Sequence, residues 1–258
     1  MSIRVGVTGA SGRMGGEVVA AASDREDVAV GLAVSRTPEA IQANRLPVAT
    51  VEPAGEFDSL LGTRGLDAVI DFTTSETAVT YAEACAEADV AFVTGTTGFD
   101  DDHHTRLEAT AKTIPVLDAP NFAPGVQTLF DLVETAVRRL PEYDVEVLEI
   151  HHREKRDAPS GTAARVLERI EAAGDVTERT HGRVGEAVRT DEEVGVHSLR
   201  AGGVRGEHEV FLGGEFEHLR IGHSVTDRGV FAQGALDAAV WLAENEPGRY
   251  SFAEVLGA

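Results

Sequence analysis

The run from His151 to Thr162 carries the densest group of chemically active side chains in this sequence. It reads His-His-Arg-Glu-Lys-Arg-Asp-Ala-Pro-Ser-Gly-Thr, and five of its first six residues can be positively charged, although the whole chain has a formal net charge of -21. Ser160 or Thr162 can cap a helix that is predicted to begin here, and the first N–H groups of a helix bind anions. Cations beside a helix start suit a small ligand with more than one carboxylate.

Two other interpretations of this run remain open. A basic run is often a solvated surface with no site behind it. A metal site is less favoured, because neighbouring residues on a strand point to opposite faces and His151 and His152 therefore cannot easily hold one ion. The sequence also lacks HExxH and CxxC spacing, so we predict no metal.

A glycine-rich turn near the amino terminus is the second candidate site. Residues 3–8 are apolar and are predicted to form a buried parallel strand, and residues 17–22 have a helical composition. A strand, a glycine turn and a helix open a dinucleotide-binding unit, in which the backbone approaches a pyrophosphate at the helix N-terminus. The spacing is GxxGxxG rather than GxGxxG, and many glycine turns bind nothing. The predicted cofactor-binding residues of this turn are Gly9, Ala10, Ser11, Gly12, Arg13 and Met14.

The end of the second predicted strand, residues 28–34, bears on the choice of cofactor. An NAD enzyme usually places Asp or Glu there to hold the ribose 2′-OH. This chain has Ser35 and Arg36 instead. No carboxylate repels a 2′-phosphate, and Arg36 can pair with one. We therefore predict a preference for NADPH, with NADH use possible; the alternative is that Arg36 is an ordinary loop residue.

Two later turns also follow predicted strands. Residues 66–72 and 90–93 are the third and fourth strands, and the fourth ends in Gly-Thr-Thr-Gly-Phe. The fifth, residues 114–117, leads to Ala-Pro-Asn-Phe. An open α/β sheet binds ligands at the carboxyl ends of its strands, so both turns are candidates, although the first is also compatible with a plain strand-to-helix turn.

The organisation changes after residue 121. A helix is predicted over about 126–140, and an alternating strand over 143–150 leads into His151. Three more strands are predicted over 194–200, 207–212 and 216–225. We expect an α/β chain, with an N-terminal Rossmann-like dinucleotide-binding domain and a second α+β domain built on a mostly antiparallel sheet.

Taken together, these motifs resemble the 4-hydroxy-tetrahydrodipicolinate reductase (dihydrodipicolinate reductase) family of bacterial-type lysine biosynthesis. The resemblance rests on GASGRMG, GTTGF, the Ala-x-Asn-Phe turn and the complete His-His-Arg-x-Lys-x-Asp-Ala-Pro-Ser-Gly-Thr run, in matching order. It implies NAD(P)H-dependent reduction of 4-hydroxy-tetrahydrodipicolinate to tetrahydrodipicolinate in the diaminopimelate route to lysine. It also implies that the last helix returns to the first domain, which divides the chain into 1–121 plus 229–258 and a substrate-binding and oligomerisation domain, 122–228.

The resemblance assigns roles to individual residues. His151 is the expected proton donor or acceptor, and Lys155 is the second donor. The expected substrate-binding residues are His152, Gly161 and Thr162. The expected nicotinamide and ribose contacts are Gly95, Thr96, Thr97, Ala119, Pro120, Asn121 and Phe122. The family also implies a homotetramer formed through the second domain, with a small cyclic dicarboxylate as substrate.

Composition limits the other possibilities. The single Cys85 forbids an intrachain disulfide, no signal peptide or run of eighteen apolar residues is present, and the acidic charge disfavours nucleic acid. We expect a cytoplasmic protein without membrane or nucleic-acid partners. A semialdehyde dehydrogenase would need a catalytic cysteine, but Cys85 lies in a predicted helix. A short-chain dehydrogenase needs Tyr-x-x-x-Lys, which is found at none of Tyr81, Tyr143 and Tyr250. An NADP-binding redox sensor would not need the cationic run.

The charge balance yields a stability prediction. The chain has 44 Asp and Glu against 23 Lys and Arg, and only Lys112 and Lys155 are lysines. Such a chain is typical of a halophile, because molar salt shortens the Debye length to roughly 3 Å and screens repulsion between carboxylates. We expect the thermal midpoint of unfolding to be higher in molar KCl than in dilute buffer. A midpoint in dilute buffer that is no lower would contradict this.

Overall fold

The computed structural model describes residues 2–38 and 50–257. The chain divides into two compact units. The first unit comprises Met1–Ala123 and Arg228–Ala258, and the second comprises Pro124–Asp227. Within the described ranges, no helix combines the length and the apolar character that crossing a bilayer requires.

The elements follow one another along the chain in three stretches. The first stretch contains β1 (Ile3–Thr8), α1 (Arg13–Ser23), β2 (Val28–Ser35), β3 (Glu52–Pro53), a 3-10 turn (Ala54–Glu56), α2 (Phe57–Leu61), β4 (Ala68–Asp71), α3 (Ser75–Glu87), β5 (Ala91–Thr94), α4 (Asp101–Thr110) and β6 (Pro115–Asp118). The second contains α5 (Pro124–Arg139), β7 (Asp144–His151), α6 (Gly161–Ala173), β8 (Glu178–His181), β9 (Glu193–Arg200), β10 (Glu207–Gly213) and β11 (His218–Ser224). The third contains α7 (Gly229–Leu242), β12 (Gly248–Tyr250) and α8 (Phe252–Val255).

The first unit is built on a parallel sheet. Over the described residues its strand order is β12-β6-β5-β4-β1-β2-β3, and every neighbouring pair is parallel. Alternate residues of β4 enter two separate apolar cores: Ala68 and Ile70 pack with α1 and α7, and Val69 packs with α3 and α4. Because helices cover both faces, β4 and β5 are buried along their whole length. The prediction of a Rossmann-like parallel sheet is confirmed.

The second unit has a mixed sheet with the strand order β11-β10-β7-β9-β8. The pairs β11–β10 and β10–β7 are antiparallel, whereas β7–β9 and β9–β8 are parallel. The expectation of a mostly antiparallel sheet was therefore wrong for half of the strand pairs. Parallel neighbours need a crossover connection, and the chain leaves β7 through α6 before it returns as β8 and β9. The largely exposed, polar β8 carried no strand pattern in the sequence.

The alternation in β7 decides which of its side chains face the core. Val145, Val147, Glu149 and His151 are buried, and the residues between them are half-buried. Successive side chains of a strand point to opposite faces, so these four share one face. Helix α6 packs against β7. The strand therefore brings Glu149 and His151 to the same face, two residues apart.

Candidate active site

His151 ends β7 beside a fully buried carboxylate. Its Nδ1 is hydrogen-bonded to Oε2 of Glu149, which has no exposed surface. Oε1 of the same carboxylate accepts a hydrogen bond of 2.7 Å from Nη2 of Arg200. The parallel register of β7 and β9 sets His151 opposite Arg200, so the three side chains meet because of strand pairing. The buried negative charge of Glu149 lies between two groups that stabilise it.

This arrangement fixes which nitrogen of His151 can exchange a proton. An ionised carboxylate only accepts hydrogen bonds, so Nδ1 carries a hydrogen and Nε2 is the exchanging atom. Gly206, with φ of +155°, lies on the Nε2 side, and a Cβ at that position would lie 3.1 Å from Nε2. A glycine at 206 therefore keeps a side chain away from the reactive nitrogen. The sequence alone did not indicate Gly206.

Burial and the neighbouring charged groups shift the pKa values of both His151 and Glu149. Burial lowers the pKa of His151, and the Glu149 carboxylate only partly offsets this effect. Nearby Lys155 and Arg200 lower the pKa of His151 further. Burial alone would raise the pKa of Glu149, but hydrogen bonds led by that from Arg200 outweigh it and hold this pKa below its usual range. Glu149 therefore remains ionised beside His151.

Lys155 belongs to the same network through the loop that follows β7. Its Nζ lies 2.9 Å from Oδ2 of Asp157. Nη2 of Arg200 donates to the carbonyl oxygen of Asp157 at 2.6 Å as well as to Glu149. The half-buried His152 accepts at its carbonyl from the Lys155 N–H at 3.1 Å. One guanidinium thus ties the loop carrying Lys155 to the carboxylate that holds His151.

The start of α6 is joined to His151 through a histidine that sequence reasoning missed. Ser160 caps the helix by accepting from the Ala163 N–H at 3.2 Å, and its Oγ lies 3.1 Å from Nε2 of His208. Burial, reinforced by the nearby His151, lowers the pKa of His208 to about 4. The two imidazole rings are 5.2 Å apart. A neutral His208 therefore links the α6 N-terminus to the His151 ring.

The first turn of α6 has room for a ligand. A Cβ at the exposed Gly161 would meet no described atom within 4 Å, so packing within the chain does not require glycine there. Thr162 is half-buried in the same turn. The structure thus connects His151, Lys155 and the α6 N-terminus in one network.

The glycine turn of the first unit has the geometry of a dinucleotide loop. Gly9 has φ of +72°, and a Cβ there would collide with the carbonyl oxygen of Phe72. A Cβ at Gly15 would collide with the carbonyl oxygen of Gly9, so the turn packs tightly onto α1. Gly12 is the N-cap of α1 and provides no side-chain cap. These three glycines serve a tight turn, an open helix start and close helix packing, which are the roles that glycines have in dinucleotide loops.

A cavity of about 650 Å³ adjoins this turn. Gly9, Ser11, Gly12, Arg36 and Thr73 contribute to its walls. Ser35 stands at the end of β2, where an NAD enzyme usually carries Asp or Glu, and it brings a hydroxyl group rather than a carboxylate to this space. Its Oγ donates to Oγ of Ser11 at 2.6 Å and accepts from the Thr37 N–H at 3.0 Å. The exposed Arg36 therefore lines this cavity, and none of the described residues that line it is acidic.

The other predicted residues of the glycine turn lie around its start and along α1. Ala10 is buried, and its N–H donates to the carbonyl oxygen of Val34 at 3.1 Å. Arg13 and Met14 open α1, with Arg13 exposed and Met14 half-buried. The turn is thus anchored to the end of β2 before the helix begins.

Phe72 joins the two later turns to the glycine turn. A Cβ at Gly95 would collide with the Phe72 ring, and the Phe72 and Phe122 rings pack edge to face with centroids 6.0 Å apart. Thr96 is buried and Thr97 is exposed. Phe72 was taken only as a strand residue in the sequence, because nothing in its spacing shows these contacts.

The turn after β6 is held by local hydrogen bonds. The buried Ala119 donates its N–H to the carbonyl oxygen of Thr94 at 3.0 Å, and Asn121 Oδ1 accepts from the Ala123 N–H at 2.8 Å. Pro120 is exposed. All three predicted cofactor segments therefore lie at the carboxyl ends of strands in one parallel sheet, where such sheets bind ligands.

Two family models match this chain. The model described as "Dihydrodipicolinate reductase, N-terminus" covers residues 3–122, and the one described as "Dihydrodipicolinate reductase, C-terminus" covers residues 125–256. The chain belongs to the dihydrodipicolinate reductase family. It is therefore an oxidoreductase that uses a pyridine nucleotide, and the resemblance seen in the sequence is confirmed.

Relatives in this family match over nearly the whole chain. A 4-hydroxy-tetrahydrodipicolinate reductase of Haloarcula marismortui is 48% identical over 255 residues, which is 99% of each chain. One from Natronomonas pharaonis is also 48% identical, over 98% of this chain and 100% of the relative. The expectation of a halophile-like source agrees with these two relatives.

A solved structure of the family has the same overall architecture. The dipicolinate-bound dihydrodipicolinate reductase from Paenisporosarcina sp. TG-14 is 25% identical, has a TM-score of 0.81, and is matched over 97% of this chain and 98% of that one. A myo-inositol dehydrogenase from Corynebacterium glutamicum, at 13% identity and a TM-score of 0.62, shares the fold.

Proposed function

We propose that this protein reduces 4-hydroxy-tetrahydrodipicolinate to tetrahydrodipicolinate, with NADPH as the preferred reductant, in the diaminopimelate route to lysine. The observation that carries the proposal is the network joining His151, Glu149, Arg200 and Lys155 beside the start of α6. The relatives that match this chain are named for this reduction, and the related Paenisporosarcina structure holds dipicolinate, a cyclic dicarboxylate.

The residues of the first unit suit a dinucleotide. The uncapped start of α1 suits a pyrophosphate, and Arg36 on the cavity wall suits a 2′-phosphate. When bound, the reduced nicotinamide supplies hydride to a ring carbon of the substrate. The exposed side chains of Thr97 and Pro120 and the amide of Asn121 lie on turns suited to the nicotinamide half.

In the second unit, the substrate is bound by charge and helix geometry. One carboxylate would accept hydrogen bonds from the first turn of α6 at Gly161 and Thr162, where the space above Gly161 is open. His152 would contact the substrate from the β7 side. The ammonium group of Lys155 adds positive charge close to His151. A ligand with two carboxylates matches this arrangement better than a neutral one.

Proton transfer is the task of His151. The substrate first loses its 4-hydroxyl group, together with a hydrogen from the neighbouring ring carbon, as water. Hydride addition to the resulting unsaturated ring then leaves negative charge on the atom next to the attacked carbon, and a positioned acid lowers the barrier by delivering a proton there. Nε2 of His151 would deliver it, while Glu149 stabilises the protonated ring through Nδ1. Lys155, held by Asp157, would act as the second donor. Burial makes the protonated His151 a stronger acid.

Self-association is proposed through the second unit. Phe216, Val184 and Val188 are at least 90% exposed, and Leu199 is also exposed. Apolar side chains in such positions support contact with further copies of the chain. We infer a cytoplasmic homotetramer with no nucleic-acid or membrane partner, and sedimentation in molar KCl would detect any smaller assembly.

The reaction can be tested with the parent protein and two variants. Absorbance of NADPH is followed in molar KCl, with substrate made in situ from pyruvate and aspartate semialdehyde. His151→Ala and Lys155→Ala are expected to lower kcat by about a hundredfold or more while NADPH still binds, because each removes a proton donor. His181→Ala, at an exposed site on β8, is the control and should retain turnover. Absence of turnover in the parent, with NADPH bound, would contradict the proposed substrate.

Cofactor preference can be tested at Arg36. Arg36→Ala is expected to raise the KM for NADPH by at least about tenfold, because a charge-assisted contact with the 2′-phosphate is lost. The KM for NADH is the internal control and should change little. A parent protein with a clear preference for NADH would defeat the proposal.

A further inference from the structure

A second buried carboxylate lies beneath the proposed cofactor loops. Asp71 is the last residue of β4 and has no exposed surface. Among the described residues, four threonine hydroxyl groups donate hydrogen bonds to its carboxylate. The donors are Thr8 at 2.6 Å and Thr73 at 2.7 Å on Oδ1, and Thr94 at 2.9 Å and Thr96 at 2.7 Å on Oδ2. Within the described part of the chain, hydroxyl donors thus satisfy this buried oxygen pair.

The sheet register explains why these groups meet. Asp71 pairs with Thr8 of β1 on one side and with Thr94 of β5 on the other. These residues end their three adjacent strands, and the two outer strands of the three are each followed by a proposed cofactor segment. The glycine turn follows Thr8, and the Gly95–Thr97 segment follows Thr94. Thr73 is shared, since it bonds Asp71 and also lines the cavity of about 650 Å³.

The carboxylate also sets the direction of the surrounding hydrogen bonds. Because it only accepts, Thr94 and Thr96 must give their hydroxyl hydrogens to it. Their lone pairs are then free to accept from backbone N–H groups. Thr96 N–H donates to Thr94 Oγ1 at 3.1 Å, and Thr73 N–H donates to Thr96 Oγ1 at 3.0 Å. Asp71 is therefore linked to the backbone N–H groups of Thr96 and Thr73, each through one threonine hydroxyl group.

We propose that Asp71 is a positioning residue for the dinucleotide, which holds the glycine turn, the start of α3 and the Gly95–Thr97 segment in one binding geometry through its four hydroxyl donors. This inference rests on the cofactor site of the proposed function. Because the Thr96 hydroxyl hydrogen goes to Asp71, Thr96 would serve the cofactor through its backbone, while Thr97 presents an exposed side chain.

The principal test is Asp71→Asn, which keeps the shape of the side chain. An amide offers one accepting oxygen, so two hydroxyl hydrogens lose their acceptor and the loops can relax. In molar KCl we expect the Kd for NADPH, measured by fluorescence titration, to rise at least about tenfold at a temperature where the variant remains folded. The control is Asp67→Asn. Asp67 directly precedes β4, at the end away from Asp71, and accepts from the Arg4 N–H; loss of its charge should leave the Kd unchanged.

A second pair of variants keeps the inference testable if Asp71→Asn does not fold. Thr96→Val removes one donor to Asp71 and the acceptor of the Thr73 N–H, whereas Thr96→Ser keeps both. We expect Thr96→Val to weaken NADPH binding several-fold while adenosine 2′,5′-bisphosphate, which lacks the nicotinamide, binds as in the parent. Thr96→Ser should bind both ligands as the parent does. A merely structural role would lower the melting temperature of Thr96→Val without separating the two ligands.

The outcomes separate this inference from the proposed function. Folded Asp71→Asn with a Kd for NADPH within about twofold of the parent would overturn the positioning role while leaving the cofactor site intact. The same holds if Thr96→Val binds both ligands unchanged. A parent protein that does not bind NADPH would instead overturn the cofactor site and the inference together.

Discussion

The second unit, which contains the candidate active site, depends on one buried carboxylate. Glu149 has no exposed surface, and an unpaired charge in that position would be strongly destabilising. Arg200 and His151 each satisfy one of its oxygens, and Arg200 also holds the Asp157 carbonyl. The guanidinium that compensates the charge of Glu149 therefore also holds the loop that carries Lys155. The chemistry proposed for His151 uses the same contact, because Glu149 stabilises the protonated ring.

The sequence indicated the parts of the candidate site that are contiguous and did not indicate those that strand pairing contributes. His151 and Lys155 lie in one run, so their types and spacing could be seen directly. Arg200 and His208 come from β9 and β10, and only the register of the mixed sheet places them beside β7. The alternation of apolar and polar residues along a strand does not indicate whether the strand pairs in parallel or antiparallel. This is why the sheet of the second unit was wrongly expected to be mostly antiparallel. Glu149 was visible two residues before His151, but its burial was not.

The first unit was more predictable because buried parallel strands are continuous apolar runs with glycine turns at their ends. The contacts that the sequence did not indicate are again those between neighbouring strands and the turns that follow them. Asp71 ends β4 and Phe72 follows it directly, yet together they contact segments that are far apart in sequence. Each unit therefore contains a fully buried acidic side chain that organises neighbouring strand ends. Among the acidic residues that the structure describes, Asp71 and Glu149 are the two with no exposed surface, and Glu193, at 4% exposure, is also buried.

The most direct test of this account is the pH dependence of kcat/KM in the parent, Glu149→Gln and Glu146→Gln. His151 must be protonated to donate, so activity falls as pH rises through its pKa. Glu149 raises this pKa against burial, and its removal leaves Arg200 uncompensated, so the fall in Glu149→Gln is predicted to move to lower pH. Glu146, which lies on the other face of β7 with Arg189 and His197, should leave the profile unmoved. A profile of Glu149→Gln that coincides with the parent, or moves to higher pH, would contradict the assignment of His151 as the acid.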